Sequence, residues 1–109
     1  MQHFNLEDIK AFSKIYRLNM INSVTGYKSA NMIGTKSNSG KENVAIFSSI
    51  THLGSDPALL HFTLRPNTVP RDTYKNIKEN KVFTVNHISK HQIEEAHHTS
   101  AKYDENISE

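Results

Sequence analysis

Two arginines and one hydroxyl residue stand where a predicted strand gives way to a predicted helix. Arg65 ends an apolar stretch, and Arg71, Asp72 and Thr73 follow a short loop bounded by two prolines. Arginine forms bidentate hydrogen bonds to phosphate oxygens, and free N–H groups at a helix N-terminus attract anions. Arg65, Arg71 and Thr73 are therefore candidate phosphate ligands. The alternative is that Asp72 or Thr73 caps the helix and that both arginines are solvated.

A second candidate segment is Phe47-Ser48-Ser49-Ile50, where two hydroxyl residues end an otherwise apolar strand. Such an edge can hydrogen-bond a polar heterocycle while the strand supports the face of the ring. The alternative is a strand that enters a loop, where serine is an ordinary residue.

The seven histidines do not form a metal-binding pattern. His87 and His91 lie on either side of a predicted helix start, and the adjacent His97 and His98 point apart. The sequence contains neither an H-E-x-x-H motif nor a phosphate-binding G-x-x-x-x-G-K loop nor a G-x-G-x-x-G fingerprint. Without cysteine, thiolate zinc sites and a cysteine nucleophile are excluded. We expect the histidines to be solvent-exposed or at the edge of the core, and no metal site.

Composition and charge exclude several further classes of protein. The net charge of +2 comes from 13 basic and 11 acidic residues scattered along 109 positions, which argues against a nucleic-acid surface. Neither a membrane-spanning apolar run of about 18 residues nor a secretory signal is visible, so we expect a cytoplasmic protein. Apolar residues make up 36% of the chain, below the usual share even with glycine added. This predicts a thin core that a partner or further chain would complete.

The N-terminal segment has the signature of a capped helix. Asn5 is the predicted N-cap, with Asp8 at the third helical position, and apolar residues recur at helical spacing as far as Tyr16. From Leu18 to Val24 the spacing is that of a strand, and Gly26 marks a break.

The rest of the chain predicts strands and two further helices. Predicted strands cover residues 30–35, 43–50, 59–65 and 82–88, and the turns lie at residues 36–41 and 54–57. A short helix is predicted from Asp72 or Thr73 to Lys78, and a capping box of Ser89 and Gln92 begins the last helix. Residues 1–109 therefore read as one mainly β domain with flanking helices, arranged as a meander or a small barrel.

An ordered set of segments resembles the flavin reductase-like family, the FMN-binding split barrels. The segments are NVAIFSS from Asn43, GSDPALL from Gly54, Arg65-Pro66, TYKNI from Thr73 and FTVNH from Phe83. Residues 97–102 and the terminal Ser108-Glu109 also resemble a bacterial branch of the family.

The resemblance implies a split β-barrel that dimerises and binds FMN near the subunit interface. It further implies that NADH or NADPH reduces the flavin, or that bound FMN serves a non-enzymatic electron carrier. The strand end, Ile46, Phe47, Ser48, Ser49 and Ile50, would line the flavin ring and the ribityl chain. Arg65, Arg71 and Thr73 would hold the phosphate, and Asn86 lies where the family often approaches the cofactor. No side chain is required as a proton donor or nucleophile, so no catalytic residue is predicted.

Members of the family continue past the point where this chain stops. We therefore expect residues 1–109 to be the N-terminal portion of the family fold and the barrel to be incomplete. A truncated domain without flavin activity is the third possibility, besides an FMN-dependent oxidoreductase and an electron carrier.

Overall fold

The protein is described by a computed structural model over residues 1–65 and 71–99. The helices are α1 (Leu6–Ala11), α2 (Lys14–Ser23), α3 (Asp72–Asn80) and α4 (Ile93–His98), with a 3-10 turn at Lys90–Gln92 before α4. The strands are β1 (Asn31–Lys36), β2 (Glu42–Phe47), β3 (Thr51–Ser55), β4 (Ala58–His61) and β5 (Thr84–His87). They form an antiparallel sheet in the order β2-β1-β5 and a separate β3-β4 hairpin. In the described part of the chain, the sheets do not close into a barrel.

The N-terminal helices confirm one prediction and correct another. Asn5 and Asp8 form the predicted capping box, but α1 ends at Ala11 and a second helix begins after the N-cap Ser13. The strand predicted between Leu18 and Val24 is wrong, because α2 continues to Ser23. No residue of α2 is buried, and no strand of residues 1–65 and 71–99 pairs with its backbone. A segment without such a partner satisfies its own N–H and C=O groups as a helix.

The three-stranded sheet positions most of the predicted site residues. The predicted hairpin turn is confirmed: Ser37 N–H donates to the Lys41 carbonyl at 2.9 Å, and Gly40 adopts a positive φ of 89°. Because paired residues of an antiparallel sheet share a face, the register shows which residues lie on each face of the sheet. The α3 face carries Asn31, Ile33, Thr35, Asn43, Ala45, Phe47 and Val85, and the Met32 face carries Met32, Gly34, Val44, Ile46, Thr84 and Asn86.

The β3-β4 hairpin differs from the prediction in both strands. The predicted turn after Gly54 is present, but β3 was not predicted and β4 covers Ala58–His61 instead of residues 59–65. Every residue of β3 except Gly54 is exposed. The segment therefore lacks the alternation of apolar and polar residues by which a half-buried strand is recognised.

Few side chains of the described residues are buried. Ile33 and Ala96 are the buried apolar residues there, and five polar residues are buried as well: Asn31, Thr35, Asn43, Thr73 and Asn76. The core is therefore thin, as the apolar content predicted.

Candidate functional site

Helix α3 is attached to the β1-β2 hairpin by polar contacts. The Asn43 side-chain amide donates to Thr73 Oγ1 at 3.1 Å, and that of Asn76 donates to Thr35 Oγ1 at 3.0 Å. All four residues are buried. A third amide, that of Asn80, donates to the Lys36 carbonyl at the end of β1. Positions 73, 76 and 80 lie on one side of a helix, so these contacts fix which side of α3 faces the sheet.

This attachment corrects the predicted helix cap. The N-cap of α3 is Arg71, and no side chain forms a capping hydrogen bond there. Neither Asp72 nor Thr73 caps the helix, because both lie inside its first turn and the Thr73 hydroxyl faces Asn43. The positive end of the α3 dipole is therefore left without a side-chain cap.

Both candidate arginines are exposed. Neither guanidinium group forms an ion pair or a hydrogen bond with the residues that the structure describes. Arg71 lies at the uncapped N-terminus of α3, where its charge adds to that of the helix dipole. Arg65 follows β4, and the predicted loop at residues 66–70 lies outside the described residues.

The end of β2 is joined to the segment that follows β4. The rings of Phe47 and Phe62 meet edge to face at 5.2 Å, and Phe62 meets Phe83 at the same distance. The Ser49 hydroxyl accepts from Thr63 N–H at 3.1 Å and donates to the Thr63 carbonyl at 3.5 Å. This brings the chain that leads to Arg65 beside the end of β2.

The remaining residues predicted in this segment differ in exposure. Ser48 is exposed, whereas Ile46 and Ile50 are half-buried. Ile46 pairs with Met32 and lies on the Met32 face, while Phe47 lies on the opposite face. Ser48 is therefore the hydroxyl of the pair that remains accessible, since Ser49 is occupied by Thr63.

Asn86 lies on the same face as Ile46, with Met32 between them. Its side-chain amide donates to the Met32 carbonyl at 3.3 Å and to Thr84 Oγ1 at 3.1 Å. Both Thr84 and Asn86 are exposed. Asn86 and Ile46 are thus brought together on one accessible surface.

The sequence interpretation missed the residues that support these groups: Gly34, Thr35, Asn43, Asn76 and Thr84. Uncharged polar residues at positions 73, 76 and 80, on one side of a short helix, were an available signal for a polar attachment. The role of Gly34 had no such signal, because it depends on the neighbour that β5 supplies across the sheet.

In residues 1–65 and 71–99, His, Asp and Glu do not form a cluster of three that could hold a metal ion. Nor does any helix in this part of the chain have the length and apolar character needed to cross a membrane.

The predicted site residues fall into two groups of different chemistry, one cationic and one uncharged. Two accessible guanidinium groups and an uncapped helix N-terminus suit an anion. Ser48 and Asn86 supply uncharged hydrogen-bonding groups next to half-buried apolar side chains, as a polar ring system needs.

The chain is similar to known proteins in sequence and in fold. The profile described as "Flavin reductase like domain" matches residues 25–109. A protein of Shewanella frigidimarina NCIMB 400 assigned as a flavin reductase with a split barrel domain is 42% identical, with a TM-score of 0.91. The match covers 99% of this chain and 53% of that one. No curated protein matches the sequence.

Two more distant structures share the fold. They are the 2-nitrobenzoate 2-nitroreductase NbaA of Pseudomonas fluorescens (21% identity, TM-score 0.78) and component B of the nitrilotriacetate monooxygenase of Bacillus cereus (17%, 0.79). The matches cover 98% and 99% of this chain, and 49% and 52% of theirs. The chain therefore spans about half the length of the proteins it matches.

Proposed function

The chain belongs to the family of flavin reductase-like domains, and on this premise we propose that it binds FMN and uses NADH or NADPH to reduce it. The observation that carries the proposal is the family match over residues 25–109. Bound FMN would supply the acceptor for the hydride of the nicotinamide. The protein's own groups bind and orient the reactants.

The phosphate is assigned to Arg65, Arg71 and the first turn of α3. Charge-assisted bonds from arginine to phosphate are shorter and stronger than neutral ones. Neither guanidinium group has a partner among the described residues that it would have to give up. The uncapped N-terminus of α3 adds backbone N–H donors to these cationic groups. Thr73 takes part through its remaining hydroxyl hydrogen, because its oxygen already accepts from Asn43.

The ring and the ribityl chain are assigned to Ile46, Phe47, Ser48, Ser49 and Ile50, with Asn86 at the same site. The half-buried Ile46 offers an apolar surface, and the accessible Ser48 hydroxyl suits a ribityl hydroxyl. Phe47 and Ser49 also hold the strand end in place through their contacts with Phe62 and Thr63.

We further propose that residues 1–109 form a single domain that acts as a cytoplasmic homodimer. Large apolar side chains are exposed on the β3-β4 hairpin, among them Leu53 and Leu60, each at 64%. Such side chains favour association with a second copy, which light scattering on the purified protein measures.

The absorption spectrum of the purified protein, with and without FMN, tests the proposal. Bound flavin and FMN-dependent oxidation of NADH or NADPH are expected. Binding without oxidation would instead identify an electron carrier that depends on a separate reductase. A folded protein that leaves the absorption spectrum of added FMN unchanged would refute flavin binding and leave a domain without flavin activity.

A further inference from the structure

The Thr84-Asn86 pair on β5 has a fixed hydrogen-bonding polarity. An asparagine amide has two N–H donors and one oxygen acceptor. Both donors of Asn86 are occupied, one by the Met32 carbonyl and one by Thr84 Oγ1. A carbonyl oxygen only accepts hydrogen bonds, so the amide nitrogen must face Met32 and Oδ1 must face away.

Two groups are left for a ligand. Asn86 Oδ1 has no hydrogen-bond partner among the described residues, and the residue is exposed. Because Thr84 Oγ1 accepts from Asn86, the hydrogen of the Thr84 hydroxyl points elsewhere and can be donated. The pair thus presents an acceptor and a donor side by side.

Gly34 makes this arrangement possible. It pairs with Thr84 across the sheet, and a Cβ atom at position 34 would lie 2.7 Å from Thr84 Oγ1. That distance is far below a van der Waals contact, so any other residue would displace the Thr84 hydroxyl. The half-buried side chains of Met32 and Val44 flank the pair in the register and offer an apolar surface.

We propose that Thr84 and Asn86 recognise the amide or imide edge of a ring ligand. In an O=C–N–H group, the N–H donates to Asn86 Oδ1 and the carbonyl oxygen accepts from the Thr84 hydroxyl. A carboxylate offers no donor and places its negative oxygen against Oδ1, so the pair disfavours it.

This inference rests on the proposed function for its two candidate ligands. The pyrimidine edge of a flavin and the carboxamide of a nicotinamide share the same donor-acceptor chemistry. The experiment must therefore distinguish the flavin from the nicotinamide, and it must measure binding without enzymatic turnover.

The first measurement uses small probes and the side-chain amide resonance of Asn86 in the full chain. Lumiflavin and nicotinamide each carry the edge, whereas 3-methyl-lumiflavin and nicotinate lack its N–H. The flavin arm is supported if lumiflavin shifts the resonance and 3-methyl-lumiflavin does not. The nicotinamide arm is supported if nicotinamide shifts it and nicotinate does not.

Matched variants then measure the contribution of each group. Asn86→Ala is expected to weaken binding of the responding probe about 5- to 10-fold, the usual effect of one neutral hydrogen bond. Thr84→Val, which keeps the shape, is expected to weaken it similarly, while Thr84→Ser retains the hydroxyl and stays within about twofold.

Gly34→Ala is expected to act through Thr84. It should weaken binding about as much as Thr84→Val, and its effect should disappear in a Thr84→Ala background. If Gly34→Ala does not fold, the comparison of Thr84→Val with Thr84→Ser decides the result.

The outcomes separate this inference from the proposed function. Unchanged affinity of Asn86→Ala and Thr84→Val for both probes overturns the inference even if FMN is reduced. An Asn86 resonance that shifts with neither lumiflavin nor nicotinamide also overturns it. A shift that depends on the probe's N–H, in a protein that does not reduce FMN, supports the inference and refutes the reductase.

Discussion

Replacing Asn76 with leucine tests the polar attachment of α3. Asn76 is 4% exposed and donates to the buried Thr35 hydroxyl at 3.0 Å. The substitution removes one hydrogen bond, which contributes about 1 kcal/mol, and leaves a buried hydroxyl unsatisfied at a cost of about 1–3 kcal/mol. We therefore expect Asn76→Leu to lower the free energy of unfolding by about 2–4 kcal/mol. For a domain of this size, the thermal midpoint should fall by roughly 10 °C or more.

A double substitution separates hydrogen bonding from packing. Thr35→Val removes the hydroxyl that Asn76→Leu leaves without a partner, and replacing both members of a buried pair by apolar groups of similar shape is often nearly neutral. The double variant should therefore recover at least half of the stability lost in Asn76→Leu. Urea unfolding followed by far-UV circular dichroism measures all three variants.

Lys75→Ala is the matched control, because Lys75 is exposed on the same helix. Its effect should stay within about 0.5 kcal/mol. The reasoning is refuted if Asn76→Leu is as stable as the control, or if the double variant loses the sum of the two single effects.

Three further predictions concern the phosphate site, the aromatic contacts and the hairpin turn. Arg65→Ala should weaken FMN binding roughly tenfold or more, measured by fluorescence titration, and leave the thermal midpoint unchanged. The control Lys14→Ala should change neither the affinity nor the midpoint. A lower midpoint with unchanged affinity would show that Arg65 has a structural role. Phe62→Leu should lower stability by about 1–3 kcal/mol in urea, because it loses two edge-to-face ring contacts; an effect below about 0.5 kcal/mol would contradict this. Gly40→Ala should cost about 1–2 kcal/mol in the same assay, because φ is 89° there, and Gly40→Asn should cost less; equal costs would refute the backbone argument.

The elements predicted correctly are those with a local chemical signature. The capping box of Asn5 and Asp8 depends on two residues three positions apart, and both of its hydrogen bonds are present. The turn around Gly40 is equally local and was also predicted. The predicted capping box of Ser89 and Gln92 is present, but it begins the 3-10 turn at Lys90–Gln92 and not α4 itself. In each case the residues that form the element are neighbours in the sequence, so spacing is sufficient evidence.

The wrong predictions depend on what lies next to an element in space. Leu18 to Val24 carries apolar residues at strand spacing, yet α2 pairs with no strand in the described part of the chain and is helical. Thr73 has the chemistry of an N-cap, but the Asn43 amide holds it inside the first turn of α3. One sequence does not reveal whether a strand lies beside Leu18 to Val24 or which side chain contacts Thr73.

The same distinction between local and spatial information applies to the candidate site. Family resemblance pointed to Asn86, and the structure places it on one face with Ile46. The Thr84 hydroxyl that orients Asn86 and the Gly34 position that leaves room for it were not predicted, because they meet only when β5 pairs with β1. The assignment of the phosphate to Arg65, Arg71 and Thr73 stays a prediction.

The small number of buried apolar side chains has a consequence for how stability depends on temperature. Within residues 1–65 and 71–99, Ile33 and Ala96 are the apolar side chains that are almost fully buried, and the others keep part or most of their surface in water. The heat capacity change of unfolding arises chiefly from newly hydrated apolar surface, at about 12–15 cal/mol/K per residue in ordinary domains. The chain by itself should therefore unfold with a much smaller heat capacity change, and its stability curve should be unusually flat between cold and heat. A full-sized heat capacity change, growing with protein concentration, would show that association had covered the exposed apolar surface.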